Sequence, residues 1–549
     1  MNFRTKLTVV LSTSMLLFAA CENQQTEEVR PALPQMQIPN ASQLNATLYQ
    51  RFAEQGVLDW KDMEDEILFG ALKESYYILS VGYKRPNMEF TFEEQKAFAY
   101  NEPSWQAART QVVEDIANYM NANEIPLPEQ LLLNITPQFA NMELFISDIR
   151  VLNFVRKHPL VRYAEANFYE PDFSKEVSTE MAAIEEPCLY DIAGEPCFPE
   201  EDTPIVPGPS YSCNTEVHLD EGGAGCGYAN PETLHSGDFN YIFSGSGTGY
   251  AKKSWVLNAI GMTDYAWAQG NAGAGIGVAL IDTGISPNQC NLAYPGFNSG
   301  GSISTRKIVK KATYGTNPDD ICGHGTTMAG LIAAPRTGNN TIVGAAYNCD
   351  LYSYRANEDA FINVSSQVAS VAAAINDAAD NEDINIISMS MGSTFWKSTI
   401  AEAIKKAYYN GKIIVCAAGT IDGGLGTVIF PANMAVTVAV TGRKSGTSTV
   451  PCDRCFYGDK VDFSVPMQRN WDVSRTAPTL AEWGNNSNYV SGSSSATAIT
   501  AGVFAVLWAA HPNESSYQIR QRLIRSAENQ DHSDEKFGYG NYNVDVAIR

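Results

Sequence analysis

Short apolar runs that alternate with amphipathic segments constrain the fold of residues 254–549 more than any other feature of the sequence. Each run has the length of a single strand, and the four clearest runs are 277–281, 384–389, 412–418 and 434–440. Segments 366–379 and 399–409 lie between them and repeat apolar residues at helical spacing. Strands that are apolar on both faces and separated by helices are typical of a parallel sheet covered by helices. This region is therefore predicted to have an α/β fold built on a parallel sheet.

A second pattern lies upstream, over residues 76–171. Strand-like and helical segments follow one another there in the order strand–helix–strand–strand–helix–strand. The first helical segment, 104–121, repeats apolar residues at helical spacing, and the second, 148–157, ends before Pro159 because proline cannot continue a helix. This order predicts a small α+β domain of the ferredoxin-like type.

The remaining residues look less regular. Residues 172–250 contain many prolines, a glycine-rich run and four cysteines, so we expect an exposed connector that disulfides hold in place. Residues 21–75 show no clear pattern and are interpreted as a tether. The expected boundaries are a signal peptide at 1–20, the tether at 21–75, the α+β domain at 76–171, the connector at 172–250 and the α/β domain at 251–549.

The N-terminus has the layout of a secretory signal. Basic residues precede an apolar run over 7–20, which is too short to span a bilayer comfortably and ends in small residues. Residues 16–21 resemble a bacterial lipobox, although Phe18 stands where Leu is usual. This resemblance implies that Cys21 is the lipid attachment site and that the protein is anchored to a membrane of the bacterial cell envelope, on the periplasmic side or at the cell surface. An ordinary cleaved signal with a chance cysteine remains the alternative.

The charge balance excludes one class of partner. Lys and Arg total 38 against 61 Asp and Glu, which gives a formal net charge of −23. Nucleic-acid binding depends on basic surfaces that replace the counterions of the phosphates, so no nucleic-acid partner is expected.

Cysteine usage fits an exported chain. Removing Cys21 from the 11 cysteines leaves an even number, which is compatible with several disulfides. We expect Cys290 to pair with Cys322, because the two cysteines flank the loop between two candidate site residues described below. Cys452 and Cys455 have metal-like spacing, but no second pair follows at the distance that a zinc site needs. Cys416 lies in an apolar run and is expected to be a buried free thiol.

Three segments of the α/β region carry chemistry, and each lies where a strand or loop meets a helix. Asp282 directly follows an apolar strand, and Ser494 opens a long apolar helix. His324 lies between two glycines where a helix predicted over 328–334 is about to start. Sites of parallel α/β sheets form beyond the carboxyl ends of the strands, so we expect the three side chains to converge. A serine hydroxyl becomes a good nucleophile when a histidine removes its proton, and an aspartate then fixes the imidazole tautomer.

The order Asp, His, Ser and the residues around each of them resemble the subtilisin-like serine proteases, or subtilases. The segments that carry the resemblance are 255–267, 278–284, 323–330, 388–392, 417–419 and 492–502. The resemblance implies a catalytic triad of Asp282, His324 and Ser494 that hydrolyses polypeptide substrates without a cofactor. It also implies that residues 76–171 are the family's propeptide, a chaperone and inhibitor, so that the enzyme is made as a zymogen and processes itself.

The resemblance extends to substrate contacts, with departures. It implies that a substrate-binding strand includes Ser390, Met391 and Gly392. It also implies that residue 420 and the backbone N–H of Ser494 form the oxyanion hole. Thr420 stands where the family commonly has Asn, and the serines on both sides of Ser494 replace the usual Thr and Met.

A calcium site is not expected from this sequence. Asn291 stands where many subtilases have an aspartate that helps to bind calcium, and no obvious cluster of carboxylates lies nearby. No metal site is therefore predicted.

Two other functions remain open at this stage. The first is a pseudoprotease, a subtilase fold that serves only for binding because Thr420 cripples the oxyanion hole. A protease dedicated to one exported polypeptide would fit the long connector and the unusual serine motif. Each triad residue also has a purely structural interpretation, such as a turn for Asp282 or a helix cap for Ser494.

Overall fold

The computed structural model describes residues 37–88, 102–136, 139–169, 171, 226, 231–243, 249–292, 306–420, 424–446, 449–470, 476–531 and 534–549. The signal peptide at 1–20, the lipid attachment site Cys21 and most of the connector lie outside the described residues.

The strands, numbered in chain order, are β1 (Ile78–Tyr83), β2 (Leu132–Thr136), β3 (Asn141–Phe145), β4 (Val161–Glu165), β5 (Phe239–Phe243), β6 (Tyr250–Ser254), β7 (Gly277–Asp282), β8 (Ile308–Ala312), β9 (Asn339–Ile342), β10 (Asp350–Arg355), β11 (Ile384–Met389), β12 (Ile413–Ala417), β13 (Val438–Lys444), β14 (Phe463–Gln468), β15 (Ala477–Leu480) and β16 (Ser487–Val490). The α-helices are α1 (Ala41–Gln55), α2 (Asp65–Glu74), α3 (Pro103–Ala122), α4 (Ile149–Lys157), α5 (Trp255–Ala259), α6 (Asp264–Gln269), α7 (His324–Ala333), α8 (Ser365–Asp380), α9 (Ser398–Tyr409), α10 (Gly492–Ala510), α11 (Ser516–Arg525) and α12 (Val544–Ala547).

The centre of the molecule is a seven-stranded sheet in the order β14-β13-β12-β11-β7-β10-β8. All neighbouring strands of this sheet run parallel. Strand β7 is buried at every position, which explains its continuous apolar sequence. The predicted α/β fold with a parallel sheet is therefore confirmed.

Predicted and observed boundaries differ by four residues at one strand of this sheet and at one helix. Strand β13 begins at Val438 and not at residue 434, because Thr437 ends a turn by donating its hydroxyl to the carbonyl oxygens of Pro431, Ala432 and Met434. Helix α7 begins at His324 itself, four residues before the predicted start.

The described residues between 76 and 169 have the α+β arrangement predicted for this part of the chain. Its four strands pair antiparallel in the order β2-β3-β1-β4, and α3 and α4 occupy the two helical positions of the ferredoxin-like layout.

The expected tether is wrong for residues 41–74, which form helices α1 and α2. Helix α1 begins with a capping box, in which the side chains of Asn40 and Gln43 each accept from the other residue's backbone N–H. Leu48 and Trp60 are fully buried in the same apolar core as the α+β domain. Residues 39–169 are therefore called the N-terminal unit below.

The last part of the predicted connector is also folded. Strands β5 and β6 form a hairpin, and β6 pairs with β9 to complete a three-stranded sheet. These two strands therefore belong with the α/β domain. Residues 231–549 are called the catalytic region below, after the activity that the subtilase resemblance implies.

The predicted pairing of Cys290 with Cys322 is wrong. Cys322 is bonded to Cys226, which comes from the connector, and Cys290 forms a disulfide with another partner. The number and spacing of cysteines do not determine their pairing, so a connector cysteine could not be assigned from the sequence. Cys452 is bonded to Cys455, and Cys416 is a buried free thiol as predicted.

Helix α10 crosses the centre of the catalytic region. Among the described residues it is the one helix with the length and hydropathy of a membrane span, and 83% of that segment is buried inside the protein. It packs against strands β11, β12 and β13 and against helix α7, and Gly502 lets it approach Ala345 so closely that an added Cβ would lie 2.8 Å from the Ala345 Cβ. Its apolar character is explained by burial on all sides.

Candidate active site

The three predicted triad residues lie at the carboxyl ends of the parallel strands or on helices packed there. Asp282 is the last residue of β7, His324 is the first residue of α7, and Ser494 lies in the first turn of α10. Helices α7 and α10 pack against each other, which brings the histidine and serine segments to one side of the molecule.

Asp282 and His324 form a buried pair. The Nδ1 atom of His324 lies 2.7 Å from Oδ1 of Asp282, and Oδ1 also accepts from the backbone N–H of Thr283 at 2.8 Å. Burial lowers the pKa of His324, but the charge and hydrogen bond of Asp282 oppose it, and the resulting pKa is raised above its ordinary value. Asp320 and Asp359 contribute in the same direction. Asp282 can therefore stabilise a protonated His324 by accepting a hydrogen bond from its Nδ1–H.

The glycines around His324 explain why the helix starts there. Gly323 has φ +88°, a left-handed conformation that favours glycine. A Cβ added to Gly325 would lie 2.3 Å from the carbonyl oxygen of Gly284, so a side chain at this position would push the histidine segment away from the aspartate segment.

Ser494 differs from the serines on either side of it. Ser493 and Ser495 are buried, and the Ser495 hydroxyl donates at 2.8 Å to the carbonyl of Ser491, the residue just before α10. Ser494 is partly exposed. This difference in exposure favours Ser494 as the residue that meets a substrate.

The hydroxyl of Ser494 is hydrogen-bonded to the residue that follows β11. It donates to the carbonyl oxygen of Ser390 at 3.2 Å, and the Ser390 hydroxyl donates to the carbonyl oxygen of Ser494 at 2.9 Å. Proton transfer from Ser494 to His324 therefore requires the serine hydroxyl to turn away from Ser390.

Thr420 lies directly beside the serine segment. Its Oγ1 accepts from the backbone N–H of Ser493 at 3.0 Å and lies 2.9 Å from the Ser493 Oγ, which in turn accepts from the Gly419 N–H at 3.1 Å. The Thr420 Oγ1 would also lie 2.9 Å from a Cβ at Gly492. The threonine hydroxyl is thus held at the start of α10, one residue before Ser494.

The predicted substrate-binding residues follow β11. Gly392 is paired through its backbone, because its N–H donates to the Ala360 carbonyl at 3.3 Å and its carbonyl accepts from the Ile362 N–H at 2.8 Å. The Met391 side chain is buried in the core, so a substrate can contact this residue only through its backbone. An extended substrate at Gly392 would have to replace the pairing with residues 360–362.

Asn291 is buried, and its amide group donates to the Gln289 side chain at 3.0 Å. Among the described residues, no group of three or more His, Cys, Asp or Glu side chains is arranged to hold a metal ion.

Asp320 is a site residue that the sequence analysis did not single out. It is buried four residues before His324 and accepts hydrogen bonds from both the aspartate and the histidine segments. A carboxylate just before a helix start is a signal for capping, and this signal was available in the sequence.

Comparison with known proteins gives the family. The model of the subtilase family matches residues 273–540, which contain Asp282, His324 and Ser494. The chain is 32% identical over 297 residues to alkaline elastase YaB of Bacillus sp. (strain YaB), a match that covers 54% of this chain and 70% of the elastase. This chain belongs to the subtilase family.

Two other proteases are similar to this chain over comparable lengths. A thermostable alkaline protease of Halalkalibacterium halodurans is 34% identical over 280 residues, which covers 50% of this chain and 67% of that protein. The minor extracellular protease Epr of Bacillus subtilis (strain 168) is 30% identical over 307 residues, which covers 56% of this chain but 43% of Epr. Membership of this family identifies the chain as a serine-type endopeptidase of the subtilisin kind.

Proposed function

We propose that this subtilase is an exported serine endopeptidase that uses Asp282, His324 and Ser494 as its triad and is made as a zymogen. The observation that carries the proposal is the buried Asp282–His324 hydrogen bond of 2.7 Å, together with the packing of α7 against α10, the helix whose first turn holds the partly exposed Ser494.

The chemistry follows from these positions. His324 takes the Ser494 proton on Nε2 while Ser494 Oγ attacks the carbonyl carbon of the scissile bond, and Asp282 stabilises the imidazolium through Nδ1–H. The protonated His324 then gives its proton to the leaving amine. In the second half of the reaction His324 takes a proton from a water molecule that attacks the acyl-enzyme, and it returns this proton to Ser494 Oγ as the acid product leaves. Thr420 is proposed to donate its hydroxyl to the oxyanion, together with the backbone N–H of Ser494.

The N-terminal unit is proposed to be the inhibitory propeptide. Its strand β4 contacts helix α9 of the catalytic region, where Arg162 forms an ion pair with Glu402 and the Tyr163 hydroxyl lies 2.9 Å from the Thr399 Oγ1. Glu165 accepts from the backbone N–H of Ser398 at 3.1 Å, so a carboxylate lies at the N-terminus of α9, where the helix dipole favours negative charge.

A second contact joins residues 58–60 to the segment that follows the predicted substrate-binding strand. Leu58 pairs with this segment through its backbone: its N–H donates to the Thr394 carbonyl at 3.0 Å, and its carbonyl accepts from the Trp396 N–H at 2.7 Å. Trp60 stacks on Phe395 with ring centroids 4.5 Å apart. This contact supports a propeptide role for residues 41–74 as well as for the α+β domain.

Self-processing is proposed to occur within residues 172–250. A cut before Cys226 leaves that cysteine attached to Cys322, two residues from His324, so the new N-terminus stays bonded to the catalytic region. Export, and lipid attachment at Cys21, are proposed from the N-terminal sequence, and one relative is named an extracellular protease.

Labelling with a fluorophosphonate probe tests the proposed chemistry, because the probe reacts with an activated serine. We expect the wild-type chain to be labelled and to cleave an unstructured protein substrate. Ser494→Ala should lose both, whereas Ser495→Ala, a matched change one residue away, should keep both at reduced rates. A folded wild-type chain that is not labelled would support a pseudoprotease and refute the proposal.

A further inference from the structure

The side chain of Asp320 lies at the centre of the turn that precedes α7, and it is 2% exposed. Its Oδ1 accepts from the backbone N–H groups of Cys322 and Gly323, both at 2.9 Å. Its Oδ2 accepts from the backbone N–H of Thr326 at 2.8 Å and from the Thr326 hydroxyl at 2.6 Å. The residues on both sides of His324 are therefore fixed by one carboxylate.

The same carboxylate reaches the aspartate segment. Asp320 Oδ1 accepts from the hydroxyl of Thr283 at 2.8 Å, and Thr283 Oγ1 accepts from the Gly325 N–H at 2.9 Å. Thr283 also donates its backbone N–H to Asp282 Oδ1 at 2.8 Å, the oxygen that binds His324. A closed set of hydrogen bonds thus runs from Asp320 through Thr283 to both members of the Asp–His pair.

We propose that Asp320 is a positioning residue for the triad, which sets the distance and orientation between Asp282 and His324 through Thr283 and the turn before α7. This inference rests on the proposed function, because it assumes that His324 acts as the base. Asp320 acts only through other residues, and it is placed to affect the rate of the chemical step more than substrate binding. A misplacement of about 1 Å in a catalytic group costs on the order of 10²-fold in rate.

Two effects of Asp320 must be separated. Its charge raises the pKa of His324, as do the charges of Asp282 and Asp359, while burial of the imidazole opposes them. Asp359 belongs to the loop after β10, where one of its carboxylate oxygens accepts from the Phe361 N–H at 2.8 Å. Asp359→Asn therefore removes a nearby charge while the hydrogen bonds of Asp320 stay in place.

The test uses the processed enzyme with a chromogenic peptide substrate, and measures kcat, KM and the pH profile of kcat/KM. Asp320→Asn retains the size of the side chain but replaces one acceptor oxygen with an NH2 group, which cannot accept from its present donors. Thr283→Val removes two hydrogen bonds, the one that Thr283 donates to Asp320 and the one that it accepts from the Gly325 N–H, and leaves the bonds from the turn to Asp320 in place. Asp319→Asn is the matched control, because Asp319 is the adjacent carboxylate and its ion pair is with Lys310, not with Asp282 or His324.

We expect Asp320→Asn to lower kcat by roughly 10- to 100-fold at the pH optimum, with KM changed by less than about threefold. Thr283→Val should give the same pattern with a smaller loss. Asp320→Asn and Asp359→Asn should both move the acidic limb of the pH profile of kcat/KM to lower pH, since each removes a charge that raises the pKa of His324. Asp359→Asn should keep kcat at the optimum within about threefold, as should Asp319→Asn.

Several results would overturn the inference. One is a kcat for Asp320→Asn within about twofold of wild type; another is a loss no larger than that of Asp319→Asn. If Asp320→Asn does not fold, Thr283→Val tests the positioning role instead. An unchanged kcat in that variant refutes the role. Failure of the proposed function would look different, because wild-type turnover would then be absent or would survive Ser494→Ala.

Discussion

The catalytic region and the N-terminal unit use hydrogen bonds for different purposes. In the catalytic region, buried polar side chains join segments that are far apart in the sequence, as Asp320 joins Thr283 to the start of α7. The N-terminal unit has an apolar core that continues into the catalytic region at residues such as Phe395. The side-chain hydrogen bonds to the catalytic region described above come from one strand of the unit, β4. A single polar change should therefore alter chemistry in the first region and affinity between the regions in the second.

The largest effect should come from the proposed base. His324→Ala removes the group that takes the serine proton, so kcat/KM should fall by at least about 10³-fold, while the N-terminal unit stays docked. His511→Ala is the matched control, because His511 lies at the end of α10 and contacts the Ile548 carbonyl. Steady-state kinetics on a peptide substrate would check this prediction. Equal losses in the two variants would show that the chemistry does not depend on His324.

Thr420 should have the next largest effect. If its hydroxyl stabilises the oxyanion, Thr420→Val should lower kcat by about 10²–10³-fold, since the shape is retained and the donor is lost. Thr420→Asn should retain activity in that case. The measurement is kcat for both variants at saturating substrate. A nearly silent Val variant would exclude the hydroxyl from the oxyanion hole, and no change in either variant would remove residue 420 from the site.

A change at Trp60 should weaken docking and leave chemistry intact. Trp60 is fully buried and stacks on Phe395. Trp60→Ala should therefore lower the free energy that holds the N-terminal unit folded and docked by about 3–5 kcal/mol. In the Ser494→Ala chain, which cannot cleave itself, the Trp396 amide should then exchange its hydrogen faster, because its bond to the Leu58 carbonyl opens more often. Tyr76→Ala is the control, since Tyr76 is 82% exposed. Equal exchange in both variants would show that residues 58–60 do not hold the unit in place.

The smallest effect should be a pH dependence of docking. Burial raises the pKa of Glu165 to about 7 in the docked state, against the opposing hydrogen bond from Ser398 and the charge of Lys397. A carboxyl whose pKa is raised on docking takes up a proton, so docking is strongest below the ordinary glutamate pKa and weakens as the pH rises through about 7.

After processing, the N-terminal fragment should therefore bind the catalytic region roughly tenfold more tightly at about pH 5.5 than at about pH 8. Binding of the two fragments, measured by calorimetry at both pH values, checks this. Glu165→Gln should make the affinity nearly independent of pH in this range. If the variant keeps the full dependence, another group at the interface is responsible.

Much of the catalytic region could be predicted from the sequence. Residues 277–281 of β7 are apolar because both faces of the strand are buried. Asp282 ends this strand and Ser494 lies in the first turn of α10, and apolar patterns in the sequence predict the type of both elements. The triad remains a prediction that rests on the resemblance of three segments to subtilase motifs. The close approach of Gly325 to Gly284 gives one physical reason for the glycines in those motifs.

Other features depend on contacts that no local pattern encodes. Helices α1 and α2 were missed because their apolar residues become a core only against the α+β domain. The bond of Cys226 to Cys322 joins segments 96 residues apart, and the pairing of Leu58 with residues 394–396 joins segments still farther apart. The five hydrogen bonds of Asp320 likewise appear only when the loops are brought together.

N-terminal sequencing of the purified protein tests the central claim most directly, namely that a Ser494-dependent protease is held as a zymogen by its N-terminal unit. The account predicts that the wild-type catalytic region begins within residues 172–250, and that Ser494→Ala yields a chain in which this segment is uncut. Cleavage at the same position in Ser494→Ala, expressed alone and without wild-type enzyme, would contradict self-processing. A folded wild-type protein that remains uncut through this segment would contradict the zymogen account.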